Sequence, residues 1–199
     1  MSLLQKKPEN APAAGKVFPT APLEMRFRLP TSKVRELLRE DKMDELVQMG
    51  ENAIPELIGC LSSELKEKAA EALVRIGKPA AIIRRLKFME EWIPRDRNAA
   101  AAEAEKMMVA GVLARIGKDA VPALVEALGD SNETVRHYAV EVLGNIAKKY
   151  PEEVAYAIIH FVNGDAGDEL LEINSSNDWI ANKINEILLE CGEAMENAA

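Results

Sequence analysis

One short pattern recurs along this chain and limits the folds open to it. A helix-compatible segment ends in a hydrophobic residue followed by glycine, and a second apolar segment with proline near its start comes next. Residues 46–58 and 113–125 are two copies that align without a gap. Two further copies end their first segments at Gly77 and Ala147, so the four ends are 27, 40 and 30 residues apart. This spacing predicts a tandem repeat of about 30 residues with one insertion.

The repeated pattern predicts a helix, a tight turn and a second helix. Glycine accepts the left-handed backbone that ends many helices, and proline in the first helical turn gives up an amide that has no partner there. Each helix carries one apolar stripe at helical spacing. The clearest stripes consist of Val121, Leu124, Val125 and Leu128 in one helix and of Val135, Ala139, Val142 and Ile146 in the next. A pair with one stripe per helix cannot bury its own apolar surface, so the pairs are expected to stack.

We therefore predict an all-α fold: a right-handed α-α superhelix of about four to five helix pairs with a C-terminal capping helix. Aromatic residues make up only 5% of the chain, which favours packing through small and branched side chains. The repeat region is expected to span residues 31–164. Residues 1–30 contain five prolines and no sustained apolar period, which predicts an extended or disordered arm. Whether this arm docks on the repeats stays open.

The C-terminal residues 165–199 leave the repeat pattern. They are predicted to form an acidic connection followed by a helix that begins near Asp178 and closes the stack. A stripe of apolar residues supports this capping helix: Trp179, Ile180, Ile184, Ile187, Leu188 and Cys191. Within that stripe we expect Trp179 to fill the core, and the alternative is that it serves as a platform for a ligand.

The fourth copy of the repeat resembles a known motif. Asp130 is followed by Val135 and Arg136, and then by the apolar run that ends at Leu143. This segment resembles the HEAT repeat, in the short form found in phycobilin-lyase-type (PBS lyase) HEAT-like proteins. The resemblance covers about residues 41–162, and the other copies lack the full set of Asp and Val-Arg. It implies that Asp130 and Arg136 belong to a structural ladder between repeats. The resemblance implies the fold and a role in binding other molecules. It does not imply lyase activity.

Motifs for catalysis or metal binding are absent from the sequence, which favours a non-catalytic protein without a cofactor or a metal. His137 and His160 are the only histidines, and neither has a second His, Cys or carboxylate at a metal-site spacing. Phosphate-binding glycine loops and nucleophile elbows are missing as well. Cys60 and Cys191 lie far apart in sequence and are expected to be buried, reduced thiols.

The insertion supplies the first candidate binding residues. The extra material of the 40-residue step lies near residues 88–98, and insertions in repeat proteins often mark the binding face. It contains Trp92, Arg95 and Arg97, residue types that are enriched at interaction hot spots. The alternative is that Trp92 and its neighbours only fill a widened gap between repeats.

A second candidate is a basic patch in the middle of the chain. Residues 75–118 contain 10 Lys and Arg against 5 Asp and Glu, whereas residues 151–199 contain 1 against 11. Alignment of the second helices predicts that Arg84 and Arg85 point away from the buried stripe. Together with Arg75, Lys87, Arg95, Arg97 and Lys106 nearby, they offer a basic patch for a phosphate or an acidic protein segment. A solvated helix face is the alternative.

Three functions are compatible with these features. The first is a cytoplasmic scaffold that binds a protein or peptide on its concave face and on the 88–98 insertion. The second is nucleic-acid binding or glycosylase-like chemistry on the basic patch, against which the net charge of -8 argues. The third, by analogy alone, is an accessory role to a pigment or cofactor enzyme. No stretch of the sequence has the length and apolarity of a membrane span.

Overall fold

The computed structural model describes residues 31–92, 99–164 and 178–198, and within these residues every regular element is helical. In chain order the helices are α1 (Thr31–Arg39), α2 (Met43–Met49), α3 (Ile54–Cys60), α4 (Lys66–Ile76), α5 (Pro79–Trp92), α6 (Ala99–Ile116), α7 (Val121–Ala127), α8 (Glu133–Ala147), α9 (Pro151–Val162) and α10 (Asp178–Glu196). Two 3₁₀ turns, Gly50–Ala53 and Gly117–Ala120, join α2 to α3 and α6 to α7.

The helices pack in two rows. The odd row consists of α1, α3, α5, α7 and α9, each in contact with the next member of the row. The even row consists of α2, α4, α6, α8 and α10, and its members also contact one another in order. Further contacts join the rows, for example between α7 and α8 and between α8 and α9. This arrangement agrees with an α-solenoid.

The glycines and prolines of the repeated pattern lie where the sequence predicts, at the ends of helices and in the first turns of helices. Gly50, Gly77 and Gly117 all adopt positive φ values, of 56°, 60° and 74°. Proline occupies the first turn of α3, α7 and α9, and α5 begins at Pro79. These residues let the chain reverse direction from one row to the other within a few positions.

The apolar stripes form a continuous core between the two rows. All eight residues predicted for the two clearest stripes, in α7 and α8, are at most 5% exposed. Leu57 and Ile58 of α3 and Leu73 of α4 are fully buried in the same core. Because burying one Leu or Ile contributes roughly 1.5–3 kcal/mol, the stacked stripes are the main stabilising feature of the fold.

The insertion is partly helical. Helix α5 has 14 residues, whereas its counterparts α3 and α7 have 7 each. Residues 88–92 of the predicted insertion therefore extend α5, and Trp92 is its last residue. The side chain of Trp92 and the whole of Arg95 and Arg97 lie outside the described residues. The same holds for the predicted arm, residues 1–30, and for most of the predicted acidic connection.

Helix α10 packs against α8 and α9. Its buried face consists of Ile180, Ile184, Ile187 and Cys191, each at most 6% exposed. Trp179 does not belong to this face: it is 41% exposed, so the prediction of a core-filling Trp179 is wrong. Its indole instead stacks on the imidazole of His137 in α8, with 4.3 Å between ring centroids. Trp179 and Ile180 are consecutive residues, and the helical step of about 100° between them turns Trp179 away from the stripe.

The turn between α7 and α8 contains the motif that resembles a HEAT repeat. Arg136 is only 6% exposed and donates to the backbone oxygens of Asp130, at 2.8 Å, and Ser131, at 3.2 Å. The Asn132 side chain caps α8 by accepting from the amides of Thr134 and Val135. Arg136 thus holds the turn through its backbone, while the Asp130 carboxylate is directed elsewhere.

None of the helices in the described part of the chain combines the length and the apolar character needed to span a membrane.

Candidate functional site

A groove lined by described residues lies on the odd row, between α5, α7 and α9. It has a volume of about 460 Å³. Most of the residues that line it are small or apolar, and helices α5 and α7 form its side walls. Its lining includes Ile83, Ala123 and Phe161, together with the charged residues Arg84, Lys87, Glu126 and Asp130. A groove of this size accommodates one or two side chains of a partner helix or peptide.

Small residues open the groove. Ala123 in α7 is half-buried, and its methyl group leaves the space beside Phe161 of α9. Gly129 follows α7, and a Cβ atom there would lie 3.5 Å from the Phe161 ring. The ring therefore packs close to the backbone after α7 and forms an apolar end of the groove. Ile83 from α5 is also half-buried and contributes apolar surface from the other wall.

An ion pair crosses the groove between α5 and the turn after α7. Lys87 Nζ lies 2.9 Å and 3.0 Å from the two carboxylate oxygens of Asp130. Asp130 also accepts from the amide of Asn132 at 2.8 Å, which fixes the orientation of its carboxylate. The side chains of Lys87 and Asp130 are only 33% and 20% exposed. Asp130 thus links two successive repeats through Lys87, while Arg136 binds the backbone of the turn.

The two sequence-predicted arginines of α5 have different surroundings. Arg84 is exposed at the edge of the groove and pairs with Glu51, which precedes α3, at 3.0 Å. Arg85 is half-buried, and its guanidinium lies over the ring of Phe88, 4.8 Å from the centroid. Arg84 therefore borders the groove and connects to the preceding repeat, and Arg85 packs along α5.

The structure divides the predicted basic patch between the two rows. Arg84, Arg85 and Lys87 lie on α5 in the odd row, whereas Arg75 and Lys106 lie on α4 and α6 in the even row. Arg75 pairs with Glu71 at 2.8 Å and lines a concavity beside α2. Lys106 pairs with Glu103 at 3.1 Å. Arg75 and Lys106 therefore do not share a row with Arg84, Arg85 and Lys87, because the turn between α4 and α5 moves the chain to the other row.

The remaining reactive side chains lie in packing positions. Cys60 and Cys191 are buried and unbonded to each other, and burial raises the pKa of both thiols, which keeps them protonated. His137 stacks on Trp179, and His160 lies near Tyr156 with 6.1 Å between ring centroids. Across the described ranges, no three His, Cys, Asp or Glu side chains are grouped so as to hold a metal ion.

Sequence reasoning missed the residues that shape the groove. Lys87 was assigned only to a general patch, and Ala123, Glu126 and Phe161 were not singled out. One signal was present, since Ile83 and Phe161 are large apolar residues that flank the buried stripes of their helices. An apolar residue beside a stripe widens the apolar face beyond what the core needs.

Comparison with known proteins gives one finding on the family. No curated protein matches the chain. Residues 89–173, which include the groove-forming helices α7 and α9, match the family model for HEAT repeats. This part of the chain is therefore similar to HEAT repeats, and the two stacked rows of helices are consistent with that similarity.

Proposed function

We propose that this protein is a non-catalytic HEAT-like scaffold that binds a protein partner in the groove between α5, α7 and α9. The observation that carries the proposal is the apolar surface of Ile83, Ala123 and Phe161 inside a groove with charged edges. Stacked helical repeats commonly use such extended surfaces for binding. An amphipathic helix or an extended peptide with one large apolar side chain fits this groove.

The charged residues at the groove edges influence which partner segments can bind there. The α5 wall carries Arg84 and Lys87, and the α7 side carries Glu126 and Asp130. Arg84 already pairs with Glu51 and Lys87 with Asp130, so a partner segment meets ion pairs and not single charges at these edges. Such charges affect specificity and association rate more than affinity. The proposal thus names a partner segment with an apolar centre and polar sides that hydrogen-bond to these ion pairs.

Several finer features predicted from the sequence belong to this proposal. They are the right-handed superhelix of about four to five helix pairs, binding through its concave face, the PBS lyase HEAT-like subtype and the cytoplasmic location. The insertion residues Trp92, Arg95 and Arg97 are proposed to extend the binding surface beyond the end of α5. Asp130 and Arg136 are proposed to have structural roles at the repeat boundary.

Nucleic-acid binding is a weaker second candidate. Phosphate binding needs several Lys and Arg side chains on one surface. Arg84 and Lys87 of the odd row already face Glu51 and Asp130 at 3.0 Å or less. Displacing these carboxylates would offset much of the gain from a phosphate contact. The charge arrangement therefore favours a protein partner.

Replacing Ala123 by arginine should block the groove without disturbing the core, because Ala123 faces the groove and is only half-buried. A displayed library of random peptides is selected against the full chain, and the affinity of a selected peptide is measured by fluorescence anisotropy. We expect Ala123→Arg to weaken binding at least about tenfold, since the long side chain occupies the space that the partner needs.

The matched control is Ala194→Arg, which adds the same side chain at an exposed position of α10. Its affinity for the selected peptide should equal that of the native chain. Circular dichroism confirms that both variants are folded. Equal binding by Ala123→Arg and Ala194→Arg would show that the peptide binds outside the groove.

A further inference from the structure

The groove between α5, α7 and α9 presents apolar surface to a segment that lies along the odd row. Ile83 and Ala123 are only half-buried, so part of each side chain faces the groove beside Phe161. Glu126 on the α7 wall is exposed, and its carboxylate has no hydrogen-bond or ion-pair partner among the described residues. Gly59 holds the position in α3 that Glu126 holds in α7, and a Cβ atom there would meet nothing within 4 Å. This small residue on α3 leaves room for a segment that approaches the groove from the α1 end of the row.

Residues 1–30, which precede α1, have a composition suited to this groove. They contain 5 Lys and Arg against 2 Glu, whereas residues 31–199 contain 20 Lys and Arg against 31 Asp and Glu. The two parts of the chain therefore carry net charges of opposite sign, which favours contact between them. Phe18 supplies a large apolar side chain, and Pro19 and Pro22 favour an extended backbone beside it. Extended segments with an aromatic side chain are suited to binding in grooves.

The length of the chain limits which of these residues can reach the groove. Helix α1 contacts α3, α3 contacts α5, and the groove begins between α5 and α7. With about 8–10 Å between packed helices, the groove is roughly 20–30 Å from α1. An extended chain covers about 3.3 Å per residue, so the 13 residues from Phe18 to Thr31 span up to roughly 43 Å, and the 4 residues from Phe27 span about 13 Å. Phe18 therefore can reach the groove, whereas Phe27 cannot.

From these distances and charges we propose that the N-terminal segment itself occupies the groove, with Phe18 between Ala123 and the Phe161 ring. Lys16 lies two residues from Phe18, on the same side of an extended chain, and meets the Glu126 carboxylate. A tethered segment has a local concentration of about 1 mM, so a weak contact is enough to keep it bound. The proposal rests on the proposed function, because the segment and a protein partner compete for one groove. A partner then binds only when it displaces the segment.

The test places a nitroxide spin label on the segment and detects it at the groove. The label is attached at Thr20→Cys in the full chain, and methyl NMR of alanine and isoleucine is recorded before and after reduction of the nitroxide. The signals of Ile83 and Ala123 should lose more than about half of their intensity, because the tethered segment is bound most of the time. Those of Ala181 and Ala194, on α10 of the even row, should not change. The two native cysteines are buried, and the native chain treated with the same reagent shows whether they stay unlabelled.

The matched variants are Phe18→Ser and Phe27→Ser, each combined with the label. Phe18→Ser should restore the signals of Ile83 and Ala123, whereas Phe27→Ser should leave them weakened, because Phe27 lies too close to α1 to enter the groove. Full-strength signals in the labelled chain would overturn the proposal. Equal weakening in all three labelled chains would mean that the label comes near the groove only through its tether, and would overturn the proposal as well.

Because this experiment contains no partner, its failure is distinct from a failure of the proposed function. The partner enters in a second measurement, the affinity of the selected peptide for the native chain and for the Phe18→Ser variant. Removal of the competing side chain should strengthen peptide binding about threefold, as expected if the segment occupies the groove about two-thirds of the time. Equal affinities would show that the segment does not compete with the partner, and would overturn that part of the proposal.

Discussion

Replacing Leu143 by alanine should lower the free energy of unfolding by about 2–5 kcal/mol. Leu143 is fully buried in α8, which among the described helices contacts α5, α6, α7, α9 and α10. Packing from these five helices leaves little room for the structure to collapse around the lost methyl groups, so a cavity remains. Urea denaturation followed by circular dichroism measures the change.

The control for this variant is Leu189→Ala on α10, because Leu189 is 71% exposed. It removes the same atoms from the surface, and the expected change is within about 0.5 kcal/mol. A small effect of Leu143→Ala, similar to that of Leu189→Ala, would contradict a core shared by the two rows.

Replacing Gly117 by alanine should destabilise the protein by about 2 kcal/mol, because a side chain strains the left-handed backbone. Gly117 has a φ of 74°, and an added Cβ would lie 3.2 Å from Cε2 of Tyr150. Both the backbone and the neighbouring ring would have to adjust. The same denaturation experiment measures the loss.

The matched control, Gly111→Ala, is expected to change the stability in the opposite direction. Gly111 lies inside α6, and a Cβ atom there would meet nothing within 4 Å. Gly111→Ala should therefore stabilise the protein by about 0.5–1 kcal/mol, since alanine is the better helix former. If both substitutions had the same sign, the left-handed turn at Gly117 would not be a determinant of stability.

Local signals predicted much of the fold. The glycines at 50, 77 and 117 and the prolines that follow them act within one turn of the chain, and each has the backbone role that its chemistry requires. The stripes of α7 and α8 also followed from spacing alone, because a single period of 3.6 residues decides which side is buried. Trp179 was misjudged because it was grouped with Ile180, although adjacent helical residues point in different directions.

The candidate sites were harder to predict, because they depend on which helices lie side by side. Ile83 and Phe161 are 78 positions apart in sequence, and only the packing of the odd row brings them to one groove. The basic residues illustrate the same limit. Arg75 and Arg84 are close in sequence, but a turn places them in different rows. The net charge of a sequence segment does not show in which row of helices each charged residue lies.

The most direct test of the proposed scaffold function is methyl NMR of the full chain, labelled at alanine and isoleucine, during titration with a peptide selected from the displayed library. The account predicts that the methyl signals of Ile83 and Ala123 shift, while those of the exposed Ala181 and Ala194 on α10 stay unchanged. Shifts confined to Ala181 and Ala194, with Ile83 and Ala123 unaffected, would contradict it.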